Sequence, residues 1–199
     1  LNRIGKFIVI EGIDQSGKKT QVDYLATRLS SNGYKSKIIS FPIYTTAIGK
    51  EIEKSLSGKV DYPVEVRHLL LSANRWEMRS QIEESLLLDM FLICNRYYES
   101  NIVYGMANGL EESWLKNLDK GLPKADLTIL INIPASESRK RKTRDRDIHE
   151  NNLGLLAKVS SLYQRIARES GWDIVDGTGD VGQISLKIWE SVRRFYRLP

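Results

Sequence analysis

Apolar residues fall along the chain in two rhythms. Short continuous runs, Lys6 to Glu11, Ile38 to Phe41, Met90 to Cys94, Leu127 to Ile133 and Trp172 to Val175, suit strands buried on both faces of a parallel sheet. Between them the spacing turns helical. Val22, Leu25, Ala26 and Leu29 share one helix face, and Gly33 can end that helix. Val64 to Leu87 predicts one long helix with Asp61 and Pro63 at its start, and Leu155–Ala167 and Ile184–Phe195 predict two more. The alternation argues for an α/β domain: a five-stranded parallel sheet flanked by helices, in which ligands bind beyond the carboxyl ends of the strands.

The 199 residues fit one domain, 1–199, with 41% apolar and 28% charged residues. No run reaches the ~18 apolar residues of a membrane span, and the start of the chain has no cleavable apolar region, so neither a membrane partner nor a secretory signal is expected. The chain begins at Leu1, which suggests processing or an unusual start. A single cysteine, Cys94, fits a reducing, cytoplasmic setting and reads as buried core. Net charge is +5, but residues 139 to 147 carry +4 of it, leaving +1 for the other 190. Charge so confined argues against a nucleic-acid face.

The first strand runs into Gly12-Ile13-Asp14-Gln15-Ser16-Gly17-Lys18-Lys19-Thr20, the pattern G-x-x-x-x-G-K between a strand and a helix. Glycines let backbone N–H groups converge on phosphate, the helix N-terminus adds its positive end, and Lys18 supplies a full charge. This predicts an ATP-binding loop over Gly12 to Thr20. The Ser or Thr that would ligate Mg²⁺ after the lysine is replaced by Lys19, and Thr20 lies about 100° further round the helix. Three readings stay open: Mg²⁺ held through water and substrate oxygens, Lys19 replacing part of its charge, or impaired turnover. No protein metal ligand is assigned.

Several further blocks follow in order: Glu11-Gly12-Ile13-Asp14, Phe41-Pro42, the run from His68 through Ala73-Asn74-Arg75-Trp76-Glu77, Arg96-Tyr97 with Ser100 and Tyr104, Gly121-Leu122-Pro123-Lys124-Ala125-Asp126, and Asp147-Ile148-His149-Glu150. With them the chain resembles the thymidylate kinases over nearly its whole length. The resemblance implies a P-loop fold that moves the ATP γ-phosphoryl to dTMP, with Mg²⁺. It implies that Asp14, Phe41, Pro42, Leu71, Arg75, Arg96, Ser100, Tyr104 and His149 bind the acceptor. Lys18, Arg96, Arg141, Arg144 and Asn95 would serve catalysis, and a basic lid over about 136–150 would close on ATP. Asp176-Gly177-Thr178 reads either as an ordinary turn or, by the resemblance, as a segment near the adenine, and a homodimer is implied.

Five positions depart from the family pattern: Lys19, Tyr44 where an arginine is common, Leu71 for a stacking phenylalanine, Asn95 for an aspartate, and His149 for a tyrosine. They keep two alternatives open beside a dTMP kinase, namely a nucleotide-binding paralogue with weakened catalysis and a kinase of shifted specificity. His68 reads as a packed, satisfied polar side chain. Trp76, Trp114, Trp172 and Trp189 read as helix-to-sheet packing.

Overall fold

The computed structural model describes residues 3–141 and 153–199. Five parallel strands form one sheet in the order β2-β3-β1-β4-β5: β1 (Lys6–Glu11), β2 (Ser36–Ser40), β3 (Phe91–Asn95), β4 (Leu127–Asn132) and β5 (Asp173–Asp176). The predicted runs all become strands, displaced by one or two residues at most of their ends.

Alternation along β1 divides the core. Ile8 and Ile10 face one side with Val22, Leu25 and Leu29 of α1 (Lys18–Ser31) and Ile184, Ile188 and Val192 of α9 (Val181–Tyr196). Phe7 and Val9 face the other, with Leu92, Cys94 and Tyr97. Ile13, Leu130 and Ile133 carry that second side onward to α5 (Tyr98–Ala107) and α8 (Leu153–Glu169). Ile8, Phe7, Val9 and Ile10 are all fully buried; each such side chain contributes about 1.5–3 kcal/mol of burial. The result is three layers, helix on sheet on helix.

The long helix expected over Val64–Leu87 is two helices, α3 (Val64–Trp76) and α4 (Arg79–Leu86). No glycine or proline breaks it. Instead the Glu77 carboxylate accepts from Thr46 Oγ1 and Asn74 Nδ2, and Trp76 Nε1 donates to Leu118 O, so the turn at Glu77–Met78 is tied by tertiary contacts. Helices α2 (Ala47–Leu56), α6 (Glu112–Leu118) and α7 (Ala135–Arg141) were not foreseen, nor was α5, which is buried almost all round and lacks an amphipathic rhythm.

Cys94 is buried, as expected, and burial raises its thiol well above the usual range, with the Glu11 carboxylate adding to it. His68 is fully buried and its Nδ1 lies 2.6 Å from Asn101 Oδ1. The four tryptophans pack into the three core clusters. Among the described residues no helix is long and apolar enough to cross a membrane.

Candidate active site

The carboxyl ends of β1, β3 and β4 carry the predicted chemistry to one end of the sheet. β1 delivers Glu11 and the Gly12–Lys18 loop. Gly12 has φ 151°, and a Cβ there would stand 2.6 Å from Ile131 O, so only glycine lets the loop lie against β4. Gly17, at φ 92°, caps α1. Lys18 is buried, and its Nζ donates to Gly12 O (2.9 Å), Ile13 O (2.7 Å) and Ser16 Oγ (3.3 Å). The ammonium is thereby folded back over its own loop. Lys19 points the other way: its side chain is 85% exposed and pairs with Asp23 on the outside of α1. Thr20 is exposed too.

β3 delivers Asn95 and Arg96. Arg96 has φ 63°, a left-handed conformation uncommon for a long side chain, and its N–H donates to Ile10 O. Strained residues of this kind persist only where the surroundings over-determine them. Here the surroundings do so. Arg96 Nη2 donates to Asp14 Oδ1, Nη1 donates to Ser100 Oγ (3.2 Å), and the guanidinium lies over the Tyr104 ring. Tyr104 OH donates to Asp14 Oδ2 at 2.6 Å. Burial opposes the charge on Arg96, but Asp14 beside it, with Tyr104, Tyr163 and Glu11, holds it above the ordinary guanidinium range. Burial, reinforced by Asp14, raises the Tyr104 hydroxyl, so it stays a donor.

Glu11 is completely buried and organises this layer from below. Its carboxylate accepts from Tyr97 N (2.8 Å), Ser100 Oγ (2.7 Å) and Tyr163 OH (2.8 Å). One anion thus links β1, α5 and α8.

Asp14, Phe41, Pro42, Leu71, Arg75, Arg96, Ser100 and Tyr104, all expected at an acceptor site, line a single pocket open to solvent. Tyr44, Leu56, Tyr97 and Asn101 complete it. Arg75 is held from behind by Asp119, Nε to Oδ1 at 2.9 Å and Nη2 to Oδ2 at 2.7 Å, with both side chains almost wholly buried. Ser72 Oγ donates to the same carboxylate. Arg141, the last residue of α7, bridges two loops: Nη1 donates to Gln15 O (3.3 Å) and Nη2 to Gly177 O (2.8 Å). The Asp176-Gly177-Thr178 turn therefore lies beside the Gly12–Lys18 loop. Arg144, His149 and the rest of the expected lid beyond Arg141 lie outside the described residues.

Sequence reasoning gave no role to Glu11, Asp119, Tyr163 or Asn101. Glu11 offered a signal, a carboxylate closing an otherwise apolar strand. The other three acquire their places only through contacts between distant segments.

As for a metal, no group of three or more His, Cys, Asp or Glu could hold an ion among the described residues. Asn95 Oδ1, however, is buried with no hydrogen-bond partner among them. It is a neutral oxygen of the hard class Mg²⁺ accepts. The donor set fits an ion that arrives on nucleotide phosphates and keeps waters, and not an all-protein cage.

A parallel sheet with a glycine loop, a curled lysine and a second, arginine-lined pocket at the carboxyl ends of its strands defines the class of phosphate-handling α/β proteins with a P-loop NTPase-type fold. The family within that class follows from comparison. A family model described as thymidylate kinase matches residues 10–188. The chain is 39% identical to a thymidylate kinase of Schizosaccharomyces pombe over 165 residues, covering 83% of this chain and 78% of that one. It is 35% identical to the Plasmodium falciparum enzyme over 191 residues, covering 96% and 90%. A solved structure of thymidylate kinase from Candida albicans superposes with a TM-score of 0.87 at 33% identity, covering 100% of this chain and 95% of that one. The chain belongs to the thymidylate kinase family.

Proposed function

We propose that this protein transfers the γ-phosphoryl group of ATP to dTMP, giving dTDP and ADP. The observation that carries the reading is the meeting, in one pocket, of Asp14, Arg75, Arg96, Ser100 and Tyr104 beside the Gly12–Lys18 loop. Phosphoryl transfer asks for positioning and distributed positive charge. Arg96 takes the acceptor phosphate, because a guanidinium pinned by Asp14 and Ser100 presents its remaining donors in a fixed plane. Arg75 reads the base, and Leu71 and Phe41 cover its faces. Tyr104 and Asp14 hold the sugar side.

ATP lies on residues 12–20. Lys18 leaves the carbonyls of Gly12 and Ile13 for the nucleotide's phosphates, a charge already in place that need only change partners. Arg141, which already donates to Gln15 O in the loop, adds positive charge at the phosphates. Asn95 offers its oxygen to Mg²⁺ or to a water of its shell. When bound, the ion neutralises phosphate charge during transfer. Lys19, paired outward with Asp23, supplies no ligand. The working molecule is a single-domain cytoplasmic homodimer that needs neither nucleic acid nor membrane.

A shifted acceptor preference is the second reading, favoured by Leu71 and Tyr44 in the pocket wall. The C. albicans relative is itself described as having broad substrate specificity. A coupled ADP-release assay with ATP, Mg²⁺ and dTMP, run beside dCMP, dGMP and UMP, tests both readings. Turnover selective for dTMP and lost in Lys18→Ala supports the first. Comparable rates across the monophosphates support the second, and intact nucleotide binding without turnover defeats both.

A further inference from the structure

Three side chains of α3 grip two consecutive residues of a distant segment. Ser72, Arg75 and Trp76 stand three and four positions apart, which puts them on one face of the helix. Against that face lie Leu118, the last residue of α6, and Asp119, which caps it. Ser72 Oγ lies 3.0 Å from both Leu118 O and Asp119 Oδ1, and Trp76 Nε1 donates to Leu118 O at 2.8 Å. Arg75 Nε and Nη2 donate to the two oxygens of Asp119. The carboxylate is thus placed by contacts besides Arg75, and Arg75 is placed by the carboxylate.

A buried ion pair is a poor route to stability, since well-packed apolar side chains of similar volume often serve as well or better. This pair supplies something that an apolar pair would not, a fixed set of donors at a pocket wall. Arg75 lines the acceptor pocket, and Asp119 stands behind it. Two of the five guanidinium N–H groups go to Asp119, and Arg75 makes no other hydrogen bond among the described residues. A guanidinium has no acceptor. Oxygens elsewhere in the pocket are already engaged. Asp14 receives Arg96 and Tyr104, and Ser100 Oγ receives Arg96. Asn101 Nδ2 donates to His68 O, which turns Asn101 Oδ1 toward His68 Nδ1 at 2.6 Å.

We propose that Asp119 is a positioning residue for acceptor selection: by fixing the plane of the Arg75 guanidinium, it makes this wall take a ring carbonyl and refuse a ring amine. An exocyclic oxygen on the base accepts from Arg75. An exocyclic amine in the same place sets N–H against N–H and leaves both unpaired, a loss that sites built on polar contacts enforce strongly. An arginine without its carboxylate swings aside and tolerates the amine, so discrimination depends on the fork from behind. The inference rests on the reading of this pocket as the acceptor site, and adds the class of base, 4-oxo over 4-amino pyrimidines.

Isothermal titration of the full chain, without ATP, compares dTMP with 5-methyl-dCMP, which differ only at the N3 and C4 edge of the ring. The wild type should bind dTMP tighter by at least about tenfold. Asp119→Asn should weaken dTMP and leave 5-methyl-dCMP nearly unchanged, so that the ratio falls to about threefold or less. Loss of folded protein alone would lower the binding of both nucleotides equally and leave the ratio intact. Ser72→Ala keeps the ion pair but loosens Asp119, and should lower the ratio in the same direction by roughly two- to threefold. A wild-type ratio below about threefold, an unchanged ratio in Asp119→Asn, or an unchanged ratio in Ser72→Ala where Asp119→Asn does not fold overturns the role of Asp119. The kinase reading fails separately. Selective binding of dTMP with no ADP release from ATP defeats that reading and leaves Asp119 in place, whereas ADP release with selectivity untouched by the variants does the reverse.

Discussion

Tyr163, on α8, donates its hydroxyl to the Oε2 atom of Glu11, 152 residues earlier in the chain, at 2.8 Å. The same oxygen receives Ser100 Oγ, and Ser100 Oγ receives Arg96. The hydrogen-bond chain runs from helix to carboxylate to hydroxyl to guanidinium. Its outermost member is the group expected to hold phosphate.

Tyr163→Phe should therefore do two things. It removes a hydrogen bond to a buried anion, an interaction of about 1.5–3 kcal/mol. It also frees Ser100 to rotate. The expected outcome is a lower midpoint in urea with an unchanged m-value, together with a rise in KM for dTMP larger than that for ATP. Equal changes in both KM values would place the effect on stability alone.

Asp119→Asn keeps the shape of the residue behind Arg75 but leaves a buried guanidinium without its carboxylate. Breaking a buried pair from one side costs about 3–5 kcal/mol. The expected variant unfolds at markedly lower denaturant. Lys116→Gln, at an exposed helical pair, should shift stability by no more than roughly 0.5 kcal/mol in the same experiment.

The pair Lys19→Ser and Asn95→Asp restores a hydroxyl and a carboxylate near the phosphate loop. The double variant should reach half-maximal rate at a lower Mg²⁺ concentration, by on the order of tenfold. Lys19→Ser alone should leave stability nearly unchanged, since the Lys19–Asp23 pair is exposed. Identical Mg²⁺ dependence in the double variant and the parent would show that neither position handles the ion.

Glu99 makes stability depend on pH in a definite direction. Its carboxyl is raised from 4.5 to about 8 in the folded state. The folded protein therefore holds a proton there that the unfolded chain gives up above about pH 4.5. Stability from this group is complete below that pH and is lost as pH climbs through about 8. A perturbation of this size contributes up to a few kcal/mol. Glu99→Gln, neutral at every pH, should flatten the decline, so its melting temperature should overtake that of the wild type near pH 8.5 or above.

Much of this arrangement was legible in the sequence, for identifiable reasons. Strands buried on both faces are apolar without interruption, so β1, β3 and β4 announce themselves. The Gly12–Lys18 loop is a local motif whose conformation its own glycines require. Eight acceptor-side residues, scattered from Asp14 to Tyr104, were legible through resemblance, and they line one pocket. What stayed hidden has no local signature. The break at Glu77–Met78 depends on Thr46 and Leu118. Helix α5 is buried on nearly all sides, and periodicity cannot reveal a helix with no solvent face. Asp119 resembles any loop aspartate until the fold places it behind Arg75.

The order of strands sets a timetable on the ribosome. β1 emerges first, yet its two neighbours are β3, which starts at Phe91, and β4, which starts at Leu127. At roughly 5–20 residues per second, the phosphate loop waits on the order of 10 s for the strand that will flank it. It waits longer for Tyr163, which closes the polar layer around Glu11. A nascent chain released before α8 would carry the whole nucleotide motif on an unfinished scaffold, with the apolar face of β4 uncovered. For this protein, premature termination late in the message yields a sticky chain in place of a weaker enzyme.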